Sequence, residues 1–424
     1  MRRQTRLLAG LAAAVACSRP PPPPAPEPSP DTVAARPPAP VPVPVPAPMP
    51  PVAALRALAP VRLAFVGDIN LGTSTLPGGV PPDSGRGLLD RARGALSGDL
   101  VVGNFEGVLA DTGTSVKCAP GPRPKPRART RARRRAARSE ARSDSAAASP
   151  GCYAFRTPTV LAPRLVDAGF THLNLANNHA NDYGPAGRES TERILDSLGL
   201  RRYGPLDRIA IDTVRRGDRA TVVGLVGFAT YPYAYDLLDI VRSVAVVDSL
   251  RPLVDLLVVT FHGGSEGLAA RHVPEAAESL GREPRGELRR WAHAVIDAGA
   301  DAVVGHGPHV LRGIEFYRGK PVAYSLGNFL TYRGFNLDGR RGLTGVLQLE
   351  FAPDRRLRRA RLVPMVQHPG AGPVPDSTAA ALDEVRTLSA DDFGSAGARV
   401  AHDGELTPPS ASLPLPVHPP TDSR

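Results

Sequence analysis

Residues 177–184 have the residue types and spacing of a reactive site. They read Asn-Asn-His-Ala-Asn-Asp-Tyr-Gly and follow an apolar run at residues 170–176 that is short enough for one buried strand. Amide, imidazole and carboxylate groups are types that bind metal ions or transfer protons. A turn rich in Asn and Asp before a helix would look the same, so this stretch alone leaves both interpretations open.

Four further apolar runs end in the same way, in glycine beside Asp, Asn, Glu or His. The loops that follow them are Gly67-Asp68-Ile69-Asn70, Gly103-Asn104-Phe105-Glu106-Gly107, His262-Gly263-Gly264-Ser265-Glu266 and Gly305-His306-Gly307-Pro308-His309. Glycine permits a tight turn, and loops at the carboxyl ends of strands in an open α/β sheet meet in one crevice. These side chains are hard and borderline ligands, so the five loops predict a site for one or two divalent metal ions.

The elements that carry these loops alternate between helical and strand patterns. Helical patterns at residues 159–168, 185–198 and 285–298 alternate with strand runs that begin at residues 170, 221, 256 and 301. This alternation predicts parallel strands joined by crossover helices. The runs at 322–326, 343–351 and 357–363 have no helices between them, and we expect them to complete the sheets in antiparallel fashion.

The order of the motifs resembles the CapA family of poly-γ-glutamate capsule synthesis proteins over about residues 61–365. The matching motifs are Gly-Asp-Ile-Asn-Leu, Gly-Asn-Phe-Glu-Gly, Ala-Asn-Asn-His-Ala-Asn-Asp-Tyr-Gly, Phe-His-Gly-Gly-Ser-Glu, Gly-His-Gly-Pro-His-Val and Tyr-Ser-Leu-Gly-Asn-Phe. The resemblance implies an α/β fold of the calcineurin-like metallophosphoesterase type, a sandwich of two mixed sheets flanked by helices. It also implies a role in making, attaching or trimming poly-γ-glutamate or a similar anionic envelope polymer.

The same resemblance assigns roles to individual residues. It implies metal ligands at Asp68, Asn70, Glu106, Asn178, His262, His306 and His309 for one or more ions of Mn, Zn, Fe or Mg. It implies catalytic roles for His179, Asp182 and Glu266, and among these His179 would donate a proton to the leaving group. It implies substrate contacts at Asn104, Asn177, Ser325 and Asn328. Amide and phosphoester hydrolysis or transfer need the same Lewis acid, so the reaction stays open, as does a non-catalytic role in polymer binding or assembly.

Several of these residues have a second interpretation. Glu266 could order a ligand or transfer a proton, but a carboxylate that caps its own loop fits the sequence equally well. Asn328 and Ser325 belong to a signature that closes the site in the family, and they could also form a plain turn.

Two positions depart from related patterns. Metallophosphoesterases usually begin with Asp-x-His, whereas here the third position is Asn70, a weaker ligand. Many relatives read Gly-His-His-Pro-His, and Gly307 replaces the second of those histidines. The site loses one candidate imidazole but retains His306 and His309.

The net charge of +11 is concentrated in two segments, residues 1–60 and residues 121–145. Residues 121–145 contain ten Lys or Arg against two acidic residues, and residues 1–60 contain six Arg against two. The rest of the chain is close to neutral, so we expect no nucleic-acid partner.

The first residues indicate export. Arg2, Arg3 and Arg6 precede a short apolar run, and Cys17 follows Ala14-Val15-Ala16, as in the lipobox of a bacterial lipoprotein. We expect residues 1–17 to be a signal peptide with Cys17 as the lipidation site, which places the protein in the cell envelope with a lipid anchor in the membrane. Cleavage without lipidation would instead give a soluble periplasmic or secreted form. Residues 18–60 are rich in proline and predict an extended linker.

Two further segments lack the pattern of a packed domain. Residues 119–150 form a basic, Arg-rich insert, predicted to be disordered, and Cys118 and Cys152 on either side of it form an even pair that can make a disulfide once Cys17 is lipidated. Two buried thiols remain the alternative. Residues 366–424 predict a mostly disordered tail, in which residues 378–388 could form a helix.

Overall fold

The structure, a computed structural model, describes residues 60–118 and 152–409. The predicted signal peptide with Cys17, the linker up to residue 59, the basic insert at 119–150 and residues 410–424 lie outside this range. In chain order the strands are β1 (Val61–Asn70), β2 (Leu100–Phe105), β3 (Val108–Leu109), β4 (Arg156–Thr157), β5 (His172–Asn174), β6 (Arg201–Tyr203), β7 (Ala210–Arg216), β8 (Arg219–Ala229), β9 (Tyr235–Asp236), β10 (Leu256–His262), β11 (Glu278–Leu280), β12 (Glu283–Gly286), β13 (Ala302–His306), β14 (Ile314–Tyr317), β15 (Lys320–Ala323), β16 (Asn328–Thr331), β17 (Leu343–Phe351), β18 (Leu357–Gln367), β19 (Pro373–Pro375), β20 (Arg399–Val400) and β21 (Glu405–Thr407). The helices are α1 (Pro163–Ala168), α2 (Gly184–Ser197), α3 (Ile240–Leu250), α4 (Leu288–Asp297) and α5 (Ala380–Phe393).

The first large sheet is built around β1. Its main path runs β20-β21-β18-β17-β1-β2-β5-β6, with β16 paired to β1 and β19 to β18. β1 is parallel to β2 and β16 and antiparallel to β17, so the sheet is mixed. Every residue of β1 except Arg62 is buried, as expected for a central strand.

The second large sheet runs β14-β15-β13-β10-β8-β7, with β9 paired to β8. β8, β10, β13 and β15 are parallel, while β7 and β14 are antiparallel edge strands. The carboxyl ends of β10 and β13 therefore lie side by side, with His262 and His306 in register.

The two sheets pack through alternating side chains. Leu63 and Phe65 of β1 belong to a core cluster that also contains Val258 of β10 and Val304 of β13. Ala64 and other residues of the opposite face of β1 pack in a second cluster with α1 and α2, and a third cluster joins the outer face of the second sheet to α3 and α4. A fully buried Leu or Phe side chain contributes roughly 1.5–3 kcal/mol, and a shift of register by one residue would turn each of them to the wrong face.

The predicted fold class, α/β with two mixed sheets flanked by helices, is confirmed. Element boundaries need correction. α4 begins at Leu288, because Gly286 adopts a φ of 100° and Arg285 belongs to β12. The run at 322–326, which contains the end of β15, was expected to be antiparallel. β15 is antiparallel to β14 but parallel to β13. The helix α3, begun by the Asp239 side chain accepting from the amide of Arg242, is absent from the sequence-based prediction.

The prediction of a mostly disordered tail from residue 366 is wrong for residues 366–409. β21 pairs with β18, β19 pairs with β18, and α5 places Ala381, Leu382 and Val385 in the core between the sheets. The apolar spacing of α5 is helical, but it lies in a stretch interrupted by Pro, Asp and Gly, which obscures the pattern. None of the helices in the described ranges is long and apolar enough to cross a membrane.

Candidate metal centre

Asp68 lies at the centre of the site because β1 is central in its sheet. Its neighbours in register are Asn104 on β2 and Asn328 on β16, so three site loops meet at one edge. The chain approaches closely here: a Cβ on Gly67 would lie 1.9 Å from the carbonyl oxygen of Gly327. Only glycine fits at that position without moving the backbone.

Asp68, Glu106 and His309 form the cluster best suited to hold a cation. Each offers one ligand atom, and these atoms lie within 4.8 Å of one another. Nδ1 of His309 is 3.0 Å from Oδ2 of Asp68 and 3.7 Å from Oε2 of Glu106. His309 adopts a φ of 59°, a left-handed conformation that is rare for a non-glycine residue and recurs at functional sites.

His262 and His306 complete the cluster from the second sheet. Nε2 of His306 donates to the carbonyl oxygen of Val66 at 3.0 Å, which leaves the lone pair on Nδ1. Nε2 of His262 lies 3.6 Å from Oε1 of Glu106. Both imidazoles are fully buried.

Unpaired polar atoms test whether a metal fits these residues. Within the described residues, buried atoms without a hydrogen-bond partner include both carboxylate oxygens of Glu106, Oδ1 of Asn178, Nε2 of His262 and Nδ1 of His306. Buried polar atoms are normally paired. The oxygens of Glu106 and Asn178 and Nδ1 of His306 carry lone pairs for a cation, and Nε2 of His262 does so in the tautomer that has its proton on Nδ1. The residues present therefore fit a divalent metal ion.

The electrostatics of the cluster follow from its burial. Burial raises the pKa of Glu106 to about 8, with the Asp68 charge adding to the effect. Burial alone would lower the pKa of His309, but Glu106 and Asp68 outweigh it and raise that pKa to about 10. The pKa of His262 is well below its ordinary value, mainly through burial. Two buried carboxylates thus require a nearby positive charge, which a protonated His309 or a divalent ion can supply.

Asn104 and Asn177, assigned to substrate binding from the sequence, are internal. Nδ2 of Asn104 donates to Oδ1 of Asp68 at 2.8 Å, and its Oδ1 accepts from the amides of Asn174 and Asn177. Nδ2 of Asn177 also donates to the carbonyl of Phe105, and its Oδ1 accepts from the backbone of His179. Because both amides are buried and use their polar atoms inside the protein, they orient Asp68 and the 177–179 loop instead.

Asn70, Ser325 and Asn328 need the same correction. Nδ2 of Asn70 donates to the carbonyl of Glu106 and Oδ1 accepts from the amide of Gly72, so this side chain shapes the loop and is not free to bind a metal. Oγ of Ser325 accepts from the amide of Gly327 within its turn. Oδ1 of Asn328 lies 3.2 Å from Nδ1 of His309, and its Nδ2 donates to the His309 carbonyl, which holds that residue in its left-handed conformation.

His179 and Asp182 form a hydrogen-bonded pair beside the cluster. Nδ1 of His179 lies 2.7 Å from Oδ2 of Asp182, which places the ring proton on Nδ1 and the lone pair on Nε2. Asp182 is fully buried, so it orients the imidazole and does not itself reach a substrate. Burial lowers the pKa of His179 despite Asp182, with further lowering from Lys117 and His309. Nε2 is therefore the ring nitrogen that is open to proton exchange, and the proton-donating role expected from the sequence stays a prediction.

Glu266 is held by a buried arginine. Its Oε1 accepts from Nη2 of Arg285 at 3.0 Å, and the same guanidinium donates to Glu283 and to the hydroxyl of Tyr231. This ion pair fits the capping interpretation better than proton transfer, because the guanidinium of Arg285 engages the carboxylate within its own loop region.

Gly307 has a structural reason to replace histidine. Its φ is 110°, and a Cβ there would lie 2.9 Å from the carbonyl oxygen of Gly263 and 3.2 Å from Nε2 of His262. A side chain at this position would clash with the backbone of Gly263 and crowd the ring of His262.

Four further residues of the site are missing from the sequence-based assignment. They are Lys117, Phe155, Asn174 and Phe335. Asn174 lies within the 170–176 strand run and could have been found there, whereas Lys117 and Phe155 border the basic insert and Phe335 follows β16 without any motif. The rings of Phe155 and Phe335 lie 5.3 Å apart and contact His179 and His309, respectively.

Comparisons with known proteins find similarity to bacterial capsule synthesis proteins. Residues 136–333 match the family model described as bacterial capsule synthesis protein PGA_cap. The chain is 35% identical over 185 residues to the PGA biosynthesis protein CapA of Bacillus subtilis (strain 168), covering 40% of this chain and 45% of that protein. It is 32% identical over 186 residues to the capsule biosynthesis protein CapA of Bacillus anthracis, covering 40% and 42%, respectively. These matches span less than half the length of either relative.

Solved structures show a more distant likeness. A putative 5'-nucleotidase from Staphylococcus aureus, in complex with alpha-ketoglutarate, aligns with a TM-score of 0.38 and 14% identity over 77% of this chain and 57% of that one. A TM-score below 0.5 carries no argument about the activity of this chain.

Proposed function

We propose that this chain, which matches the bacterial capsule synthesis proteins described as PGA_cap over residues 136–333, makes, attaches or trims poly-γ-glutamate or a similar anionic envelope polymer by metal-dependent hydrolysis or transfer. The observation that carries the proposal is the convergence of buried, unpaired ligand atoms at the carboxyl ends of β1, β2, β10 and β13. The names of the two Bacillus relatives support the polymer class.

The residues that would hold the ion are Asp68, Glu106, Asn178, His262, His306 and His309. A bound divalent ion of Mn, Zn, Fe or Mg would lower the pKa of a water molecule and polarise a carbonyl or phosphoryl oxygen. Carboxylate, amide and imidazole donors suit all of these ions, so the donor set favours a divalent metal without selecting one.

His179 supplies the proton transfer in this proposal. The Nδ1 proton is committed to Asp182, so Nε2 accepts a proton from the attacking group and returns it to the leaving group. Asp182 keeps the imidazole in the required tautomer and orientation.

The location follows from the same proposal together with the N-terminal sequence. A polymer of the cell envelope lies outside the cytoplasm, and Cys17 after a short apolar run would anchor the exported protein to the membrane through lipid. Other capsule-synthesis proteins are the expected partners.

Replacing Cys17 with Ser should move the protein from the membrane to the soluble fraction, and unchanged membrane retention would refute lipid anchoring at this residue.

The experiment that tests the activity compares two substrates on one preparation. The purified chain, loaded in turn with Mn²⁺, Zn²⁺, Fe²⁺ or Mg²⁺, is assayed on poly-γ-glutamate and on bis(p-nitrophenyl) phosphate. Metal-dependent turnover of either would support catalysis and distinguish amide from phosphoester chemistry. Metal binding with polymer binding but no turnover would favour the non-catalytic alternative.

A further inference from the structure

A disulfide borders the site on the side of His179. Cys118 and Cys152 are bonded to each other although they are 34 positions apart in the sequence. Lys117 directly precedes the first cysteine, and Phe155 follows the second by three positions. Both of these residues contact the same two side chains, His179 and Asp182.

Phe155 holds the pair from one side. Its backbone amide donates to Oδ2 of Asp182 at 2.7 Å, the same oxygen that accepts from His179. Its ring packs on the His179 imidazole with centroids 4.3 Å apart. The short ladder between β3 and β4 fixes the backbone next to Phe155.

Lys117 holds the pair from the other side. Its Nζ lies 3.3 Å from Oδ1 of Asp182 and donates to the carbonyl of Asn178 at 3.1 Å. The backbone of its segment also contacts Asp182, because the amide of Val116 and the hydroxyl of Ser115 both donate to the Asp182 carbonyl. Oδ2 of Asp182 therefore accepts a hydrogen bond from the Phe155 segment, while Oδ1, which has no hydrogen-bond partner, forms an ion pair with Lys117.

The hydrogen bond at Oδ2 and the ion pair at Oδ1 restrict the rotation of Asp182, and with it the orientation of the His179 ring. The Phe155 segment is tied down by β3 and β4. Cys118 directly follows Lys117, and its disulfide with Cys152 is a covalent tie between this segment and the Phe155 segment.

We propose that Lys117 and Phe155 are positioning residues for the His179–Asp182 pair and that the Cys118–Cys152 disulfide holds Lys117 in place. The proposal rests on the proton-transfer role of His179 in the proposed function. It gives the disulfide a part in activity and makes full activity dependent on an oxidising compartment, where such bonds persist.

The test uses the full chain in four variants. Cys118→Ser/Cys152→Ser removes the tie, and deletion of residues 121–148 with both cysteines kept is the matched control. Lys117→Met removes the charge with the disulfide intact, and Lys117→Arg restores the charge.

Amide hydrogen exchange gives a readout that needs no substrate. We expect faster exchange at residues 115–118 and 179–184 in the double cysteine variant, and wild-type exchange in the deletion control. Bound metal should be unchanged in both. Wild-type exchange at 179–184 in the double cysteine variant would overturn the proposal.

Turnover gives the second readout. Lys117→Met should lower kcat about tenfold or more with little change in KM, as is typical when a residue that orients a reactive group is lost, and Lys117→Arg should recover most of it. Equal kcat in Lys117→Met and the wild type would overturn the positioning role. This test does not depend on the double cysteine variant, so it remains decisive if that variant fails to fold. If the wild type turns over neither substrate, the proposed function fails, while the exchange data still decide whether the disulfide holds the pair.

Discussion

At the scale of single residues, the site combines carboxylates and imidazoles that face one another with amides that bind the protein itself. Asp68, Glu106 and His309 follow strand ends in glycine-rich loops, and the fold brings them within reach of one ion. Asn70 and Asn104 sit in the same loops, yet their amides bind backbone and neighbouring side chains. An amide donates and accepts with equal ease, so sequence position does not reveal whether it contacts a ligand or the protein.

Replacing His179 with Ala should separate catalysis from metal binding. Within the proposed mechanism the imidazole transfers a proton and is not a ligand, so we expect turnover to fall about a hundredfold or more while bound metal stays near the wild-type level. Steady-state kinetics and elemental analysis of the same preparation measure both. Loss of metal in parallel with activity would assign His179 to the coordination shell.

A buried histidine away from the site should make stability depend on pH. The pKa of His172 is lowered by burial, even though Asp212 accepts from its ring at 2.7 Å. The folded state therefore binds fewer protons than the unfolded chain, and the unfolding free energy falls as the pH drops from the unfolded value of about 6.5 through the lower folded pKa.

His172→Gln removes this titration. We expect a smaller loss of unfolding free energy between pH 7.5 and 5 than in the wild type, by at most about 1.4 kcal/mol per pH unit, the limit for one proton. Urea denaturation at a series of pH values measures the slopes. Parallel slopes for the two proteins would show that His172 does not titrate in this way.

At the scale of elements, strands were easier to predict than the end of the domain. A long apolar run such as β10 predicts a buried strand without any further information, and its alternation with helical patterns predicts a parallel sheet. The C-terminal elements are short and separated by Pro, Gly and Asp, and their burial depends on pairing with β18 and packing against the core. Such tertiary contacts leave little trace in local sequence.

Ending the chain at residue 365 should therefore destabilise the domain. This truncation shortens β18, removes β19, α5, β20 and β21, and uncovers core residues packed against Leu382, Val385 and Leu406. Each lost large apolar side chain costs roughly 1.5–3 kcal/mol, so we expect aggregation or a melting temperature lower by many degrees. A chain ending at residue 409 is the matched control. Equal melting temperatures for the two shortened chains would mean that residues 366–409 contribute nothing to the fold.

At the scale of the whole molecule, two packed sheets bring five loops to one edge, where buried ligand atoms lack protein partners. The sequence predicted this convergence, because both sheets place polar loops at the carboxyl ends of parallel strands. The positioning of His179 by Lys117 and Phe155 was not predictable, since their contacts depend on how the two ends of the insert return to the site.

The most direct measurement is the amount of divalent metal bound per folded chain. Elemental analysis and calorimetric titration with Mn²⁺ should show at least one ion per wild-type chain, clearly less in Asp68→Ala and His309→Ala, and the wild-type amount in the control His272→Ala, whose ring pairs with Asp392 outside the site. Circular dichroism establishes that each variant is folded. A folded wild type that binds no divalent ion, or full binding in both ligand variants, would contradict the metal centre on which this account rests.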